Sequence, residues 1–163
     1  MVRAVLLGYN KMDMKKITIL DIAAMKAEHR KIPVLTAYGF QMAVMLDAAG
    51  IPMIIVGDSV GMVEAGHETT LPVTLDEMVY HTRSVARGAR RALIVSDMPF
   101  GSYQAGMADA CRNAARLVKE GVAGAVKMEG GTRVIDAVRA VIDMDVPVMG
   151  HVGLTPQSVL RMG

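Results

Sequence analysis

Three acidic residues of the 163-residue sequence, Asp58, Asp97 and Glu129, each follow a short and almost entirely apolar segment. Segments of this type predict buried strands of a parallel sheet. The carboxyl ends of such strands converge at one edge, where ligands bind, so we expect the three carboxylates to lie close together. They would repel one another unless a cation neutralised them, and oxygen ligands favour Mg²⁺ or Mn²⁺ over zinc. The sequence therefore predicts a site for a hard divalent cation.

A simpler role for each of these acids is to cap a helix. Acidic residues are common at helix N-termini, and each of the three precedes a predicted helix or loop. This alternative stays open for any single acid, whereas the repetition of the pattern after three strands favours the shared metal site.

Two further side chains are predicted at the same edge. Lys127 lies two residues before Glu129 and therefore on the same face of the strand. It either neutralises Glu129 or holds a carboxylate or keto oxygen of a substrate bound to the metal. His151 follows the fifth strand and is either a proton shuttle, a hydrogen-bond partner of the site or a structural residue. His67 and Glu68, in the long loop, lack the spacing of a zinc motif, and zinc is not expected.

The composition points to a globular chain in a reducing compartment. Hydrophobic residues make up 52%, the formal net charge is +2, and no block of like charge suggests a nucleic-acid or membrane surface. Cys111 is the single cysteine, so no internal disulfide forms, and its place in a predicted helix favours a buried structural thiol over a nucleophile. The apolar run 4–8 is too short for a signal peptide, and the sequence is interpreted as cytoplasmic.

Apolar strand-like segments alternate with helical ones along the chain. Thr74 and Glu77 form a capping box at the start of one helix, and a helix opened by Thr18 precedes the first strand and is a candidate plug for the bottom of a barrel. A long loop is predicted over 57–73. The predicted strands cover 33–37, 51–56, 92–96, 123–128 and 146–150, and the predicted helices cover 18–30, 39–49, 74–88, 105–120 and the residues from the Gly130-Gly131 turn to about 143.

This alternation predicts βαβ units and a parallel sheet, which both a doubly wound sheet and a barrel contain. The G-x-G-x-x-G fingerprint of a dinucleotide-binding sheet is missing. A barrel needs roughly 250 residues, so about three units are absent here. The predicted fold is α/β, a (β/α)8 TIM barrel truncated after about the fifth strand. Residues 17–163 form its first five units, and residues 1–16 form an N-terminal extension outside the fold.

Several long, ordered motifs resemble ketopantoate hydroxymethyltransferase (3-methyl-2-oxobutanoate hydroxymethyltransferase). They extend over about residues 17–163. They are Val56-Gly57-Asp58-Ser59-Val60-Gly61-Met62, Gly66-His67-Glu68-Thr69-Thr70-Leu71-Pro72-Val73-Thr74, Tyr80-His81-Thr82, Asp97-Met98-Pro99-Phe100, Val126-Lys127-Met128-Glu129-Gly130-Gly131 and Gly150-His151-Val152-Gly153-Leu154-Thr155-Pro156-Gln157-Ser158.

The resemblance implies a (β/α)8 barrel that uses magnesium to transfer a hydroxymethyl group. The one-carbon unit would come from 5,10-methylenetetrahydrofolate and pass to 3-methyl-2-oxobutanoate, giving 2-dehydropantoate for pantothenate and coenzyme A synthesis. By position, Asp58, Asp97 and Glu129 would be the magnesium ligands, and Asp58, Ser59, Asp97 and Lys127 would contact the keto acid. The family assembles as a homodecamer in the cytoplasm, acting on small molecules with no nucleic acid or membrane partner.

The implied mechanism is attack on the one-carbon unit by a magnesium-stabilised enolate of the keto acid. The family's general base is a glutamate of the second half of the barrel, which we expect beyond Gly163, so no catalytic residue is assigned here. We therefore expect the 163-residue chain itself to be nearly inactive. Two alternatives stay open: an inactive half-barrel that retains only metal or keto-acid binding, and a related Mg²⁺-dependent keto-acid lyase or mutase of the phosphoenolpyruvate mutase and isocitrate lyase group.

Overall fold

The computed structural model describes residues 15–163, so the predicted extension 1–16 lies outside the described residues except for its last two. Five strands alternate with seven α-helices in this part of the chain. The strands are β1 (Val34–Thr36), β2 (Met53–Val56), β3 (Leu93–Asp97), β4 (Ala125–Glu129) and β5 (Val148–His151). The helices are α1 (Ile19–Ala27), α2 (Phe40–Ala48), α3 (Val60–Val63), α4 (Leu75–Gly88), α5 (Met107–Lys119), α6 (Ile135–Ile142) and α7 (Val159–Met162), with 3₁₀ turns at Gly131–Val134 and Pro156–Ser158.

All five strands are parallel and pair in the order β1-β2-β3-β4-β5. A doubly wound sheet reverses its strand order at a switch point, whereas consecutive units of a barrel always add the next strand on the same side. The sequential order therefore favours the barrel over the doubly wound sheet.

Apolar side chains cover the two faces of the sheet very differently. The outer face carries the larger core, in which strand residues such as Ile54, Ile94 and Val126 pack against α2, α4, α5 and α6. A smaller cluster of Met53, Leu93, Val95 and Ala125 occupies the inner face. Because side chains alternate between the faces of a strand, these two sets fix which residues at the strand ends point into the barrel.

The helix before β1 lies against the inner face. Ile17 and Ile22 pack on the inner cluster, and the backbone N–H of Ile17 donates to the carbonyl of Arg91 at 2.7 Å, just before β3. The segment around α1 therefore covers the amino-terminal end of the strands, which is opposite to the end that carries the acids.

Five local predictions need correction. The spacing of apolar residues in the helices predicts that Phe40 and Met107 are buried, but Phe40 of α2 is 46% exposed and Met107 of α5 is 57% exposed. The buried face of α5 consists of Ala110, Ala114 and Leu117. Cys111 is half-buried rather than buried. The predicted loop 57–73 contains the short helix α3. β1, predicted to be buried, is an edge strand, and its Leu35 is 46% exposed.

A buried acid that the sequence pattern does not reveal joins α2 to β3. The carboxylate of Asp47 is 4% exposed and accepts hydrogen bonds from the backbone N–H groups of Arg90, Arg91 and Ala92 at 2.8–3.0 Å. These donors satisfy the charge, since a buried carboxylate is costly unless it is hydrogen-bonded. Within the described part of the chain, no helix has the length and apolar character required to cross a membrane.

Candidate metal and keto-acid site

Charged residues end three neighbouring strands at the carboxyl edge of the sheet. Asp97 is the last residue of β3, Glu129 the last of β4 and His151 the last of β5. The register pairs Asp97 with Lys127 and Glu129 with His151. The strands run one residue further than predicted for β3 and β4. None of the acids is a helix N-cap, so the capping alternative is excluded for all three.

Asp97 and Lys127 form a buried ion pair. The lysine Nζ lies 3.0 Å from Oδ1 of Asp97, and their side chains are 15% and 6% exposed. The sequence left open whether Lys127 would neutralise Glu129, but its ion-pair partner is Asp97. The contact lacks hydrogen-bond alignment, and Oδ1 of Asp97 is buried with no hydrogen-bond partner among the described residues.

Burial dominates the electrostatics of Asp97. Loss of solvent raises the pKa of this carboxyl to about 7; Lys127 opposes the change and the nearby Asp58 carboxylate adds to it. A divalent cation at this point would favour the ionised form and compensate for the lost hydration. Asp97 is therefore a buried carboxylate that a cation in addition to Lys127 would stabilise in its ionised form.

Asp58 lies next to Asp97, two residues after the end of β2. Its backbone N–H donates to Oδ2 of Asp97 at 3.2 Å, and its own Oδ2 accepts from the side-chain amide of Gln157 at 2.7 Å. Gly57 makes this approach sterically feasible: a Cβ there would lie 2.8 Å from Oγ of Ser59 and 3.5 Å from Oδ2 of Asp97. The glycine keeps space between the side chains of two predicted substrate contacts.

Both oxygens of Glu129 have a polar neighbour. Oε1 accepts from the backbone N–H of Gln157 at 2.7 Å, and Oε2 lies 3.1 Å from Nδ1 of His151. That ring nitrogen also lies 3.4 Å from Nζ of Lys127. His151 therefore contacts both charged residues of β4.

Ser59 lies at the start of α3, and its Oγ is 2.8 Å from the hydroxyl of Tyr38. Nδ1 of His81 lies 2.7 Å from the carbonyl oxygen of Tyr38, so the tyrosine backbone is held from the helix α4. Tyr38 thereby ties the segment after β1 to a predicted substrate contact after β2. Its polar neighbours were not evident from the sequence.

The oxygen-only donors of Asp58 and Asp97 fit a hard cation such as Mg²⁺. The buried Oδ1 of Asp97 is a carboxylate oxygen whose contact with Lys127 lacks hydrogen-bond alignment. In residues 15–163, no group of three or more His, Cys, Asp or Glu side chains is arranged to hold a metal ion as the side chains stand. Since both oxygens of Glu129 are engaged, the complete three-carboxylate ligand set stays a prediction.

A cavity of about 490 Å³ opens beside this site. It lies between the loops that follow β3 and β4, and the segment after β5 forms its third wall. Glu129 and Gln157 line it on the side of the acids, and Phe100, Arg133 and Arg161 are among its other lining residues. His67, by contrast, is held in the loop after α3, where its backbone N–H donates to the carbonyl of Gly61 at 2.8 Å.

Sequence comparisons agree with the motifs. The family model of ketopantoate hydroxymethyltransferase matches residues 16–163. A 3-methyl-2-oxobutanoate hydroxymethyltransferase of Geobacter sulfurreducens is 61% identical over 146 residues, covering 90% of this chain and 55% of that protein. The protein of the same name from Syntrophotalea carbinolica is 58% identical over 149 residues, covering 91% and 56%. The chain thus spans a little over half the length of these relatives.

Solved structures similar to the chain are far more distant in sequence. Oxaloacetate acetylhydrolase in complex with oxalate gives a TM-score of 0.62 at 12% identity, covering 83% of this chain and 54% of that one. 2,3-Dimethylmalate lyase, a member of the PEP mutase/isocitrate lyase superfamily, gives 0.60 at 16% identity, covering 80% and 51%. These likenesses show the fold alone, and with the sequential parallel sheet they confirm a β/α barrel truncated after the fifth strand.

Proposed function

The chain belongs to the ketopantoate hydroxymethyltransferase family, and on this premise we propose that it binds Mg²⁺ and 3-methyl-2-oxobutanoate for hydroxymethyl transfer. The donor is 5,10-methylenetetrahydrofolate and the product is 2-dehydropantoate, an intermediate of pantothenate synthesis. The identity of 58–61% to hydroxymethyltransferases, against 12–16% to the lyase and hydrolase structures, favours this reaction over a keto-acid lyase or mutase.

One observation carries the proposal. Oδ1 of Asp97 is buried at the edge of the sheet beside Asp58, in ionic contact with Lys127 at 3.0 Å but without an aligned hydrogen bond. A carboxylate whose burial raises its pKa to about 7 is destabilised in its ionised form unless a further cation joins Lys127. Asp58 and Asp97 would hold Mg²⁺, with Glu129 as the third acid of the set.

The side chains around this point have separate roles in the proposed reaction. When bound, Mg²⁺ would stabilise the negative charge that develops on the keto acid as its C3 proton leaves. Lys127 supplies a positive charge fixed by the sheet and so holds the substrate carboxylate or keto oxygen. Ser59, oriented by Tyr38, offers a hydroxyl to the same substrate. The general base is assigned to no residue of this chain, and we expect it in the sequence that follows Gly163 in relatives.

The one-carbon donor needs space next to the keto acid. The cavity beside Glu129 supports this position, because the side chains of Phe100, Arg133 and Arg161 that line it suit a planar ligand with carboxylates. By resemblance, we also propose a cytoplasmic homodecamer. Exposed apolar side chains on the helices support self-association, namely Phe40, Met45, Val63 and Tyr80, which are 46–64% exposed.

Calorimetry tests the binding half of the proposal. The wild-type chain is titrated with MgCl₂, then with 3-methyl-2-oxobutanoate in the presence of Mg²⁺ and in the presence of EDTA. We expect the keto acid to bind only with Mg²⁺, and Asp97→Asn to weaken Mg²⁺ binding because it removes the charge of the carboxylate that needs the cation. Asp143→Asn, on the surface after α6, is the matched control.

Three results would contradict parts of this proposal. Unchanged Mg²⁺ affinity in Asp97→Asn removes Asp97 from the ligand set. Keto-acid binding that is as tight in EDTA removes the metal from substrate binding. Normal turnover with 5,10-methylenetetrahydrofolate by the 163-residue chain would place the general base inside it, whereas binding without turnover agrees with our assignment.

A further inference from the structure

Gln157, in the 3₁₀ turn after β5, has every hydrogen-bonding position of its side chain filled. It is 7% exposed. Its amide nitrogen donates to Oδ2 of Asp58 at 2.7 Å and to the carbonyl of Met98 at 2.9 Å. Its amide oxygen accepts from the hydroxyl of Tyr103 at 2.8 Å and from the side-chain amide of Gln104 at 3.0 Å. An amide has two N–H donors and two acceptor positions, so all four have a partner, although the single hydrogen of the Tyr103 hydroxyl is shared with the carbonyl of Glu129 at 3.0 Å.

These neighbours also fix the orientation of the amide. Asp58 and the carbonyl of Met98 offer only acceptors, and the side-chain amide of Gln104 offers an N–H that faces Oε1. The reversed amide would direct its oxygen at a carboxylate and a carbonyl, which is electrostatically unfavourable. Gln157 is therefore a donor toward the acidic site.

The backbone of the same residue holds the third acid. The N–H of Gln157 donates to Oε1 of Glu129 at 2.7 Å. Pro156 starts the 3₁₀ turn, and the N–H of Ser158 donates to the carbonyl of Thr155 at 2.9 Å, which closes the turn around Gln157. One residue thus contacts two of the three acids through two different groups.

The role of Gln157 follows from which carboxylate oxygens of Asp58 and Asp97 accept hydrogen bonds and which do not. Gln157 takes a single oxygen of Asp58, and no described residue donates a hydrogen bond to the other oxygen, Oδ1. Oδ1 of Asp97 likewise has no aligned hydrogen bond in residues 15–163, and its charged neighbour is Nζ of Lys127 at 3.0 Å. Groups that hold the outer oxygen of a ligating carboxylate orient the inner one and strengthen metal binding.

We propose that Gln157 is a positioning residue of the cation site, holding the outer oxygen of Asp58 through its side chain and Glu129 through its backbone. This rests on the proposed function, since it takes Asp58 and Asp97 as ligands of Mg²⁺. A rigid, fully satisfied amide suits this role because moving it would break four hydrogen bonds at once. If the amide instead competed with the cation and had to leave before Mg²⁺ binds, its removal would strengthen Mg²⁺ binding, whereas removal of a positioning residue weakens it.

The test is calorimetric titration of the chain with MgCl₂, together with urea unfolding of each variant. Gln157→Met keeps the length of the side chain and the backbone N–H to Glu129, but it removes all four side-chain hydrogen bonds. We expect the Kd for Mg²⁺ to rise roughly 10- to 100-fold. Gln41→Met, at an exposed position of α2 away from the site, is the matched control, and we expect little change in affinity.

A weaker affinity for Mg²⁺ in folded Gln157→Met supports the positioning role. An unchanged or tighter affinity overturns it, and a tighter one would show that the amide competes with the cation. If Gln157→Met does not fold, Gln104→Met carries the test: it removes one donor to the amide oxygen without touching Glu129, and an unchanged affinity would also overturn the role. Absence of Mg²⁺ binding by the wild type would instead remove the proposed function, so the two failures are distinguishable.

Discussion

Oδ1 of Asp97 and Nζ of Lys127 lie 3.0 Å apart because the register of β3 and β4 places these two residues directly opposite each other. Both side chains point into the barrel, above the inner apolar cluster of Met53, Leu93, Val95 and Ala125. The pair therefore joins an acid predicted to bind a metal to a lysine predicted to bind a substrate anion. Because the two residues are paired across the strands, the register of β3 and β4 sets the positions of both side chains.

The raised pKa of Asp97 predicts an unusual pH dependence of stability in metal-free protein. Its pKa is about 7 in the folded chain against 3.8 for an unperturbed group, so between these values only the folded state keeps the proton. The free energy of unfolding should fall as the pH rises from about 4 to about 7, by up to a few kcal/mol for this group. Below pH 4 the carboxyl is protonated in both the folded and the unfolded state, so the stability that is lost at higher pH is fully present.

Urea unfolding in EDTA at pH 5 and pH 8 measures this effect. Asp97→Asn has no titrating group at this position, so we expect it to lose less stability than the wild type between the two pH values. Added Mg²⁺ should reduce the wild-type loss at pH 8. An identical pH dependence in both proteins would mean that Asp97 titrates normally.

Lys127→Met separates substrate binding from metal binding. Loss of the ammonium should weaken the binding of 3-methyl-2-oxobutanoate by about 1.5–3 kcal/mol, or about 10- to 100-fold. Mg²⁺ should bind at least as tightly as before at pH 8, because a neighbouring positive charge is gone. Calorimetry measures both, with Lys119→Met at the exposed end of α5 as the control; equal keto-acid affinity in both variants would contradict the role of Lys127.

Gly57→Ala tests whether the close approach of Ser59 and Asp97 requires a residue without a side chain at position 57. The new Cβ would lie 2.8 Å from Oγ of Ser59, so the serine must move away from Tyr38 or the backbone must shift. We expect a loss of about 1–3 kcal/mol of stability together with weaker keto-acid binding. Gly150→Ala in β5 is the control, because its Cβ would meet nothing within 4 Å. Equal behaviour of the two variants in urea unfolding and calorimetry would contradict the steric argument.

Asp47→Ala should affect the fold without affecting the site. Three backbone N–H groups before β3 lose their acceptor, and we expect a loss of about 3 kcal/mol or more in the free energy of unfolding. These groups lie at the amino-terminal end of β3, so the Mg²⁺ affinity of the folded variant should be unchanged. Asp143→Ala is the surface control, and a weaker Mg²⁺ affinity in Asp47→Ala would show that the two ends of the sheet are coupled.

Local sequence patterns were sufficient for the elements and for part of the site. Each predicted strand appears within three residues of its predicted ends, and Thr74 and Glu77 form the predicted capping box, in which the N–H of Thr74 donates to Glu77 at 2.7 Å. The backbone and side-chain donors of Thr74 keep the pKa of Glu77 below its usual value. These features depend on residues close in the chain, so their physics is contained in short windows of sequence.

Helix burial was less predictable. Met107 and Cys111 of α5 are apolar and were predicted to be buried, but the helix turns Ala110, Ala114 and Leu117 to the sheet. Small residues permit α5 to pack closely on its neighbours, and this gain depends on the facing surfaces rather than on hydrophobicity alone.

The sequence by itself determined the alternation of strands and helices and the presence of acids at the ends of β2, β3 and β4, since both follow from apolar segments and the residues after them. Only the tertiary structure decided the strand order, the pairing of Lys127 with Asp97 and the position of Gln157 between Asp58 and Glu129. Gln157 lies 99 residues from Asp58 in the chain, and no local pattern encodes such a contact. Strand register and the closing of the segment after β5 over the sheet bring these groups together, because side chains from distant segments meet only where the barrel packs.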